Sequence, residues 1–266
     1  MGRGTQARAA RRRGARMKDL ARQIDGLDWA QLEDSLNERG FAVVPGLLTA
    51  AQCREMAALY AEDHAADIRA ENGEPGGSRF RSRIVMQRHN FGRGEYQYFA
   101  YPLPATVATL RSALYTPLAR IANRWQQYMK LPANFPPEHQ AFIDRCHLAG
   151  QTRPTPLLIQ YESGDYNCLH QDLYGDHVFP LQAVALLAEP GRDFTGGELV
   201  LTEQRPRMQS RVEVVPLAQG DLVIFAVHNR PVSGANGSYR VNMRHGVSRI
   251  RSGLRHTLGI IFHDAA

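Results

Sequence analysis

From Thr155 to the C-terminus the sequence is a succession of short apolar runs separated by turn residues. The pattern predicts strands near 156–161, 168–173, 179–187, 197–202, 212–216, 221–227, 239–246 and 256–262. Each short strand buries one face and needs a second sheet to cover it, so eight of them in succession build a sandwich or a barrel.

The preceding half reads differently. Residues 1–16 hold six arginines and no acid, the composition of a disordered basic tail, a solvated end or a nucleic-acid-binding arm. A short helix is expected over Trp29–Asn37, ended by Gly40, followed by a strand and turn in FAVVPGLL. Thr49 is a candidate N-cap for a helix running to about Arg69, and NGEPGGS reads as a loop. The stretch from Phe80 to Tyr101 is rich in arginine and aromatic residues and alternates with period two, which suggests a hairpin. Such a hairpin either packs on the sheet or forms a substrate lid whose rings stack a base. Leu110, Leu114, Leu118, Ile121 and Trp125 are spaced as one face of a helix over 104–131, and a shorter helix follows Pro137 and ends near Ala149. The expected organisation is a tail (1–16), a helical support and lid region (17–153) and a β core (154–266), with 17–266 forming one integrated domain.

A hydrophobic content of 43% suffices for a core, and no apolar run is long enough to span a membrane. No apolar segment follows the basic N-terminus, so no secretory signal is expected. Three scattered cysteines, Cys53, Cys146 and Cys168, suit a reducing cytoplasm better than a disulfide framework. The net charge is +6, and residues 204–255 hold nine arginines against Glu213 and Asp221. Three of them, Arg205, Arg207 and Arg211, fall in one inter-strand loop, which points to a polyanionic substrate or to a solvated loop.

His170 and Asp172 are two residues apart in the second predicted strand. Residues i and i+2 of a strand share a face, about 6.6–7 Å apart along it, so an imidazole and a carboxylate there can close on one ion. His-x-Asp alone is common by chance and needs a third ligand. Two histidines follow apolar strands, His228 and His245. Ten residues after His228 stands Ser238, whereas ten after His245 stands Arg255, whose guanidinium can grip a carboxylate through two parallel bonds. Thr257 shares the strand face of Arg255, and His256 then faces away. Two histidines and one carboxylate are the ligand set of non-haem Fe(II) oxygenases.

The order His170-x-Asp172, His245 and Arg255 resembles the Fe(II)/2-oxoglutarate-dependent dioxygenases over roughly residues 155–264. The resemblance implies a mostly β, α+β protein with a double-stranded β-helix core, jelly-roll and cupin-like, on N-terminal helical support. It implies that His170, Asp172 and His245 hold Fe(II), and that Arg255 with Thr257 holds the far carboxylate of 2-oxoglutarate. Tyr161, ending the preceding strand, would line the 2-oxoglutarate pocket, while Asn167 and Cys168 are either site-lining or ordinary strand residues. GFAVVPGLL, FTGGELVL and LAQGDLVIF resemble strand phrases of that superfamily. Oxygen is the implied co-oxidant and ascorbate an auxiliary reductant, and the outcome is a hydroxylation or a demethylation.

The run from TEQRPRMQSR through YRVNMRHGVSRIRSG resembles a prokaryotic oxygenase family predicted to act on damaged, alkylated nucleic acid. That resemblance implies a single-stranded or damaged nucleic-acid substrate. The loop arginines would then guide it at the mouth, and the Tyr96–Tyr101 segment would stack the target base. A prolyl-hydroxylase-type protein or peptide hydroxylase is the second reading. A cupin-like binding barrel is the third, and the complete triad with its anchor argues against it.

Overall fold

The computed structural model of the chain describes residues 14, 15, 17–71, 78–235 and 237–266, with side chains left out over 62–71. The basic tail and the NGEPGGS loop lie outside the described residues, apart from residues 14, 15 and Ser78.

Helix α1 covers residues 17–25 and α2 covers Trp29–Arg39. Asp28 caps α2 by accepting the Gln31 N–H, and Gly40 ends it in the left-handed region at φ 80°. Strand β1 (Phe41–Val44) leads to α3 (Ala50–Glu71). That helix opens on a reciprocal cap: Thr49 Oγ1 accepts the Gln52 N–H (3.3 Å) and Gln52 Oε1 accepts the Thr49 N–H (2.9 Å). The arginine- and aromatic-rich stretch forms β2 (Phe80–Val85), a 3-10 turn (Met86–His89), β3 (Gly92–Arg93) and β4 (Glu95–Phe99). Helices α4 (Ala105–Tyr128) and α5 (His139–Leu148) complete the support.

The predicted strands appear as β5 (Leu157–Tyr161), β6 (Tyr166–His170), β7 (Leu181–Leu186), β9 (Leu199–Gln204), β10 (Arg211–Val215), β11 (Leu222–Ala226), β13 (Gly237–Val247) and β15 (Arg255–Ile260). Three short strands, β8 (Phe194–Gly196), β12 (Asn229–Gly234) and β14 (Ile250–Gly253), escape the apolar pattern. The segment before His245 is a hairpin: β12 pairs with β13 from Asn229↔Asn242 to Gly234↔Gly237.

Apart from β8 and β14, which pair with each other, these strands form two facing sheets. One has the order β1-β11-β7-β15-β5-β4-β2 and the other β10-β9-β13-β6-β3. Successive strands of the core alternate between the sheets except for β9 and β10, which form a hairpin within the second; this is the double-stranded β-helix, and the pairings within the two sheets are antiparallel. Strand β1 extends the first sheet by pairing with β11, and β4 and β2 extend its other side.

The apolar stripe of α4 is buried in one core with Leu158, Ile224, Leu258 and Ile260. Each buried side chain of this size contributes about 1.5–3 kcal/mol. Two buried ion pairs tie this frame together: Arg111 of α4 reaches Asp264 (2.7 Å), and Arg230 of β12 reaches Glu203 of β9. Among the described residues, no helix is long and apolar enough to cross a membrane.

Candidate active site

Strand register places the two histidines side by side. His170 ends β6, and its cross-strand partner in β13 is His245. Their ring centroids are 4.2 Å apart. Asp172 departs from the strand expectation: β6 stops at His170, so the carboxylate stands on the loop beyond it rather than in strand alternation. Tyr174 turns it inward, its hydroxyl donating to Asp172 Oδ1 at 2.7 Å. The carboxylate then lies 3.6 Å from His170 Nε2 through Oδ1 and 3.3 Å from His245 Nε2 through Oδ2. Cations such as zinc bind N and O at about 2.0–2.2 Å, so donors at these separations can share one ion.

The loop carrying Asp172 is anchored by one amide. Gln151, buried, donates through Nε2 to Tyr174 O (3.0 Å) and Asp264 O (2.6 Å), while its Oε1 accepts the His177 N–H (2.8 Å). Gly175 lies against it at φ +92°, where an added Cβ would meet the Gln151 side chain at 2.5 Å.

Protonation suits a cation. His170 Nδ1 donates to Cys168 O at 2.8 Å, which leaves the Nε2 lone pair facing the carboxylate. Burial and the neighbouring His245 hold His170 below the usual imidazole range, so it is neutral. Burial alone would raise the Asp172 carboxyl. Hydrogen bonds from His245 and the Tyr174 hydroxyl, with the electrostatic influence of the two neighbouring histidines, outweigh that and hold it well below the usual range. Burial and the Asp172 charge raise Tyr174, so it remains a donor. Neutral imidazoles and an ionised carboxylate are the forms a metal ion takes. Gln182 of β7, 3% exposed, adds an amide: its Nε2 is 3.2 Å from His245 Nε2, and its Oε1 has no partner among the described residues.

All three groups line a cavity of about 400 Å³, and the same cavity holds Arg255, Thr257 and Tyr161. Arg255 opens β15 opposite Tyr161 of β5 and is 2% exposed. Its Nε and Nη1 have no hydrogen-bond partner among the described residues, nor does the Tyr161 hydroxyl. Tyr161 and Phe194 lie beside the guanidinium, ring centroids 5.7 Å away. Gly197 leaves room for it, since a Cβ there would meet Arg255 Cδ at 2.9 Å. Burial pulls the guanidinium down to about 10, against the opposing influence of Tyr161 and Glu198. Burial likewise pushes the Tyr161 hydroxyl up to about 12. A buried cation with two unbonded nitrogens and a buried hydroxyl beside it is the donor set for a carboxylate.

Other candidates fall elsewhere. His228 is absent from the cavity lining and bonds to Asn229. His256 turns to Gln160 (3.0 Å), away from Arg255 as expected. Asn167 and Cys168 line the cavity. Arg205, Arg207 and Arg211 do not: Arg205 and Arg211 lie 2.7 and 3.8 Å from the buried Glu203 carboxylate, which draws them onto the sheet instead of the mouth. Within Tyr96–Tyr101 only Tyr96 lines the cavity, because Phe99 packs on Phe80 and Tyr101 bonds Asp264. The rim carries an aromatic that the sequence reading passed over: Phe91, 49% exposed, in the short link between the 3-10 turn and β3. A larger groove of about 610 Å³ between α1, α2 and α4 contains none of the candidate site residues.

Residues 94–265 match the family Oxygenase-NA, described as oxygenases catalysing oxidative methylation of damaged DNA. An uncharacterised protein of Mycobacterium tuberculosis is 46% identical over 168 residues, covering 63% of this chain and 72% of that protein. Among solved structures, an oxidoreductase of the 2OG-Fe(II) oxygenase family from Burkholderia pseudomallei aligns with a TM-score of 0.51 at 14% identity, over 91% of this chain and 93% of that one. A Pseudomonas putida prolyl-4-hydroxylase aligns with a TM-score of 0.47 at 16% identity, over 87% of this chain and 96% of that one.

Proposed function

The chain belongs to the Oxygenase-NA family, and on that premise we propose that it is an Fe(II)- and 2-oxoglutarate-dependent oxygenase that oxidises an alkyl group on a nucleic-acid base. One observation carries the reading: His170, Asp172 and His245 converge within 4.8 Å in a cavity that also holds a buried guanidinium with two nitrogens unbonded among the described residues. In it, His170 Nε2, His245 Nε2 and the Asp172 carboxylate hold the iron. Arg255 binds the far carboxylate of 2-oxoglutarate, with Thr257 and Tyr161 beside it.

Bound iron with 2-oxoglutarate supplies the oxidation, in which one atom of O2 enters the C–H bond and the other leaves in succinate as carbon dioxide is lost. The chain's own residues supply position and dryness. The Cys168 carbonyl fixes the His170 tautomer, and Tyr174 fixes the carboxylate. Ile159, Val184 and Leu199 wall the cavity with apolar surface. An alkyl carbon on nitrogen, once hydroxylated, leaves as an aldehyde, so the base is restored rather than methylated.

Purified protein with Fe(II), ascorbate and labelled 2-oxoglutarate is expected to release succinate with methylated single-stranded oligonucleotides. His170→Ala, Asp172→Ala and His245→Ala are each expected to abolish that release and to weaken Mn(II) binding, whereas His228→Ala retains both. Succinate release stimulated by a peptide set and not by oligonucleotides would replace this reading with a peptide hydroxylase.

A further inference from the structure

The edge strand β3 and the turn before it carry side chains that have no part in the candidate metal and oxoacid sites. The phenyl ring of Phe91 is half exposed at the cavity rim, and the His89 ring stacks on it at 5.3 Å and 22°. Its backbone is fixed on both sides: Phe91 N donates to Met86 O (3.2 Å), and Phe91 O accepts the Cys168 N–H (2.9 Å). Gly92 follows at φ +131°, where a Cβ would meet Tyr166 O at 2.3 Å, so the chain is pressed onto β6 and Phe91 is held out. A ring this exposed forgoes the burial it could have had, and a rigid turn displays it at the mouth.

Cations and rings continue along the same edge. Arg93 pairs in register with Tyr166, and the Arg249 guanidinium lies over the Tyr166 ring at 5.5 Å. Arg88 and Arg249 are exposed and form no ion pair among the described residues. Arg93 has one acidic neighbour, Asp165, at 3.8 Å. Exposed cations interleaved with exposed rings are the recognition surface for single-stranded nucleic acid, where phosphates meet charge and bases meet rings.

We propose that Arg88, His89, Phe91, Arg93, Tyr166 and Arg249 form the track for a single-stranded nucleic-acid substrate, with Phe91 the platform against which the target base stacks before entering the cavity. The proposal rests on the nucleic-acid reading above and adds where the strand lies. It moves the phosphate contacts from the β9–β10 hairpin to the β3 edge. An unpaired base at the rim needs no duplex opened, so single strands are the preferred form.

The test uses full-length protein and a fluorescein-labelled oligodeoxythymidylate, read by anisotropy, alongside succinate release with a methylated oligonucleotide. Phe91→Ala is expected to lose about tenfold in affinity, within the range of one base–aromatic stack, and Phe91→Trp to restore it. The triple variant Arg88→Ala/Arg93→Ala/Arg249→Ala is expected to lower the slope of log affinity against log salt by about 2, and Arg205→Ala to leave it unchanged. Mn(II) and 2-oxoglutarate binding by all of these variants is expected to match the wild type, which separates loss of the track from loss of the fold. If the wild type turns over methylated oligonucleotide and Phe91→Ala and the triple variant do so equally well, the track is overturned and the nucleic-acid reading stands. If the wild type neither binds nor oxidises any oligonucleotide, both fall together. Peptide turnover that depends on Phe91 would overturn the nucleic-acid track in favour of a peptide groove.

Discussion

Two arginines are buried in the β core, and they differ in what surrounds them. Arg230, 0% exposed, gives Nη2 to the Glu203 carboxylate and Nη1 to Asn37 O (2.8 Å), leaving Nε unbonded. Arg205 and Arg211 close on the same carboxylate from the surface side. Arg255, almost as deep, forms no ion pair among the described residues: two of its nitrogens are unbonded there, and the rings of Tyr161 and Phe194 lie beside the guanidinium. Burying an unpaired charge costs several kcal/mol, so a fold keeps one where something else supplies the counter-charge. Arg230 belongs to the frame, and the unpaired Arg255 suits the carboxylate-binding role proposed for it above.

The largest expected effect breaks the first half of that comparison. Glu203→Gln leaves Arg230 buried without an anion and is expected to destabilise the protein by about 3–5 kcal/mol in urea denaturation. The double variant Glu203→Leu/Arg230→Met should recover most of it, since both charges leave together. A loss below about 1 kcal/mol in Glu203→Gln would mean that charge does not hold Arg230, because that is the ordinary worth of an exposed pair.

Arg255→Ala tests the other half. It is expected to weaken 2-oxoglutarate binding to Mn(II)-loaded protein by about 2–5 kcal/mol, roughly thirtyfold or more. The ligand-free protein should be no less stable, since an unpaired charge has been removed. Arg255→Lys should restore part of the affinity, because an ammonium cannot present two parallel donors. Isothermal titration calorimetry decides the point: unchanged affinity in Arg255→Ala moves the oxoacid elsewhere.

A buried base sharpens the comparison with a smaller effect. His263 is fully buried, accepts the Phe179 N–H at Nδ1 (3.2 Å) and has an unbonded Nε2. Burial and Arg111 pull it down to about 4 from its ordinary 6.5. Between those values the unfolded chain binds more protons than the folded one. Its contribution is therefore complete above pH 6.5 and is lost as pH falls toward 4. At pH 5 the loss relative to pH 7 is about 2 kcal/mol, measurable as a shift in urea midpoint. His263→Gln should flatten that part of the pH profile. An equally steep profile in the variant would assign the pH dependence to other groups.

The contrast between the arginines also marks how far the sequence could be read. The order His170, His245, Arg255 with intervening apolar runs located the cavity, because strand period fixes which side chains share a face. Strand limits came within about two residues for the same reason, except at the end of β6, which stops at His170 and so about three residues early. Asp172 thus reached the site by a loop, turned by Tyr174. Spacing could not choose between the two readings of the arginines at 205–211, because it reports charges and not their partners: Glu203 lies next to them in the chain, but its burial and its pairing with Arg205 and Arg211 are tertiary facts. Gln182 and Tyr174 gave no periodic signal. Phe91 left a different mark in NFGRG, where Gly92 directly after it is a position at which the backbone is held against a neighbouring strand.

The Gln151 amide sets limits on redesign. Its one side chain joins the Asp172 loop to the last turn of the chain, and Gly175 is shaped around it. On the track proposed above, substrate preference would be re-engineered at Arg88, His89, Phe91 and Arg93, whose side chains are exposed. Residues 172–177 form a single part with Gln151, and a graft, insertion or residue swap there would have to replace the whole clasp at once.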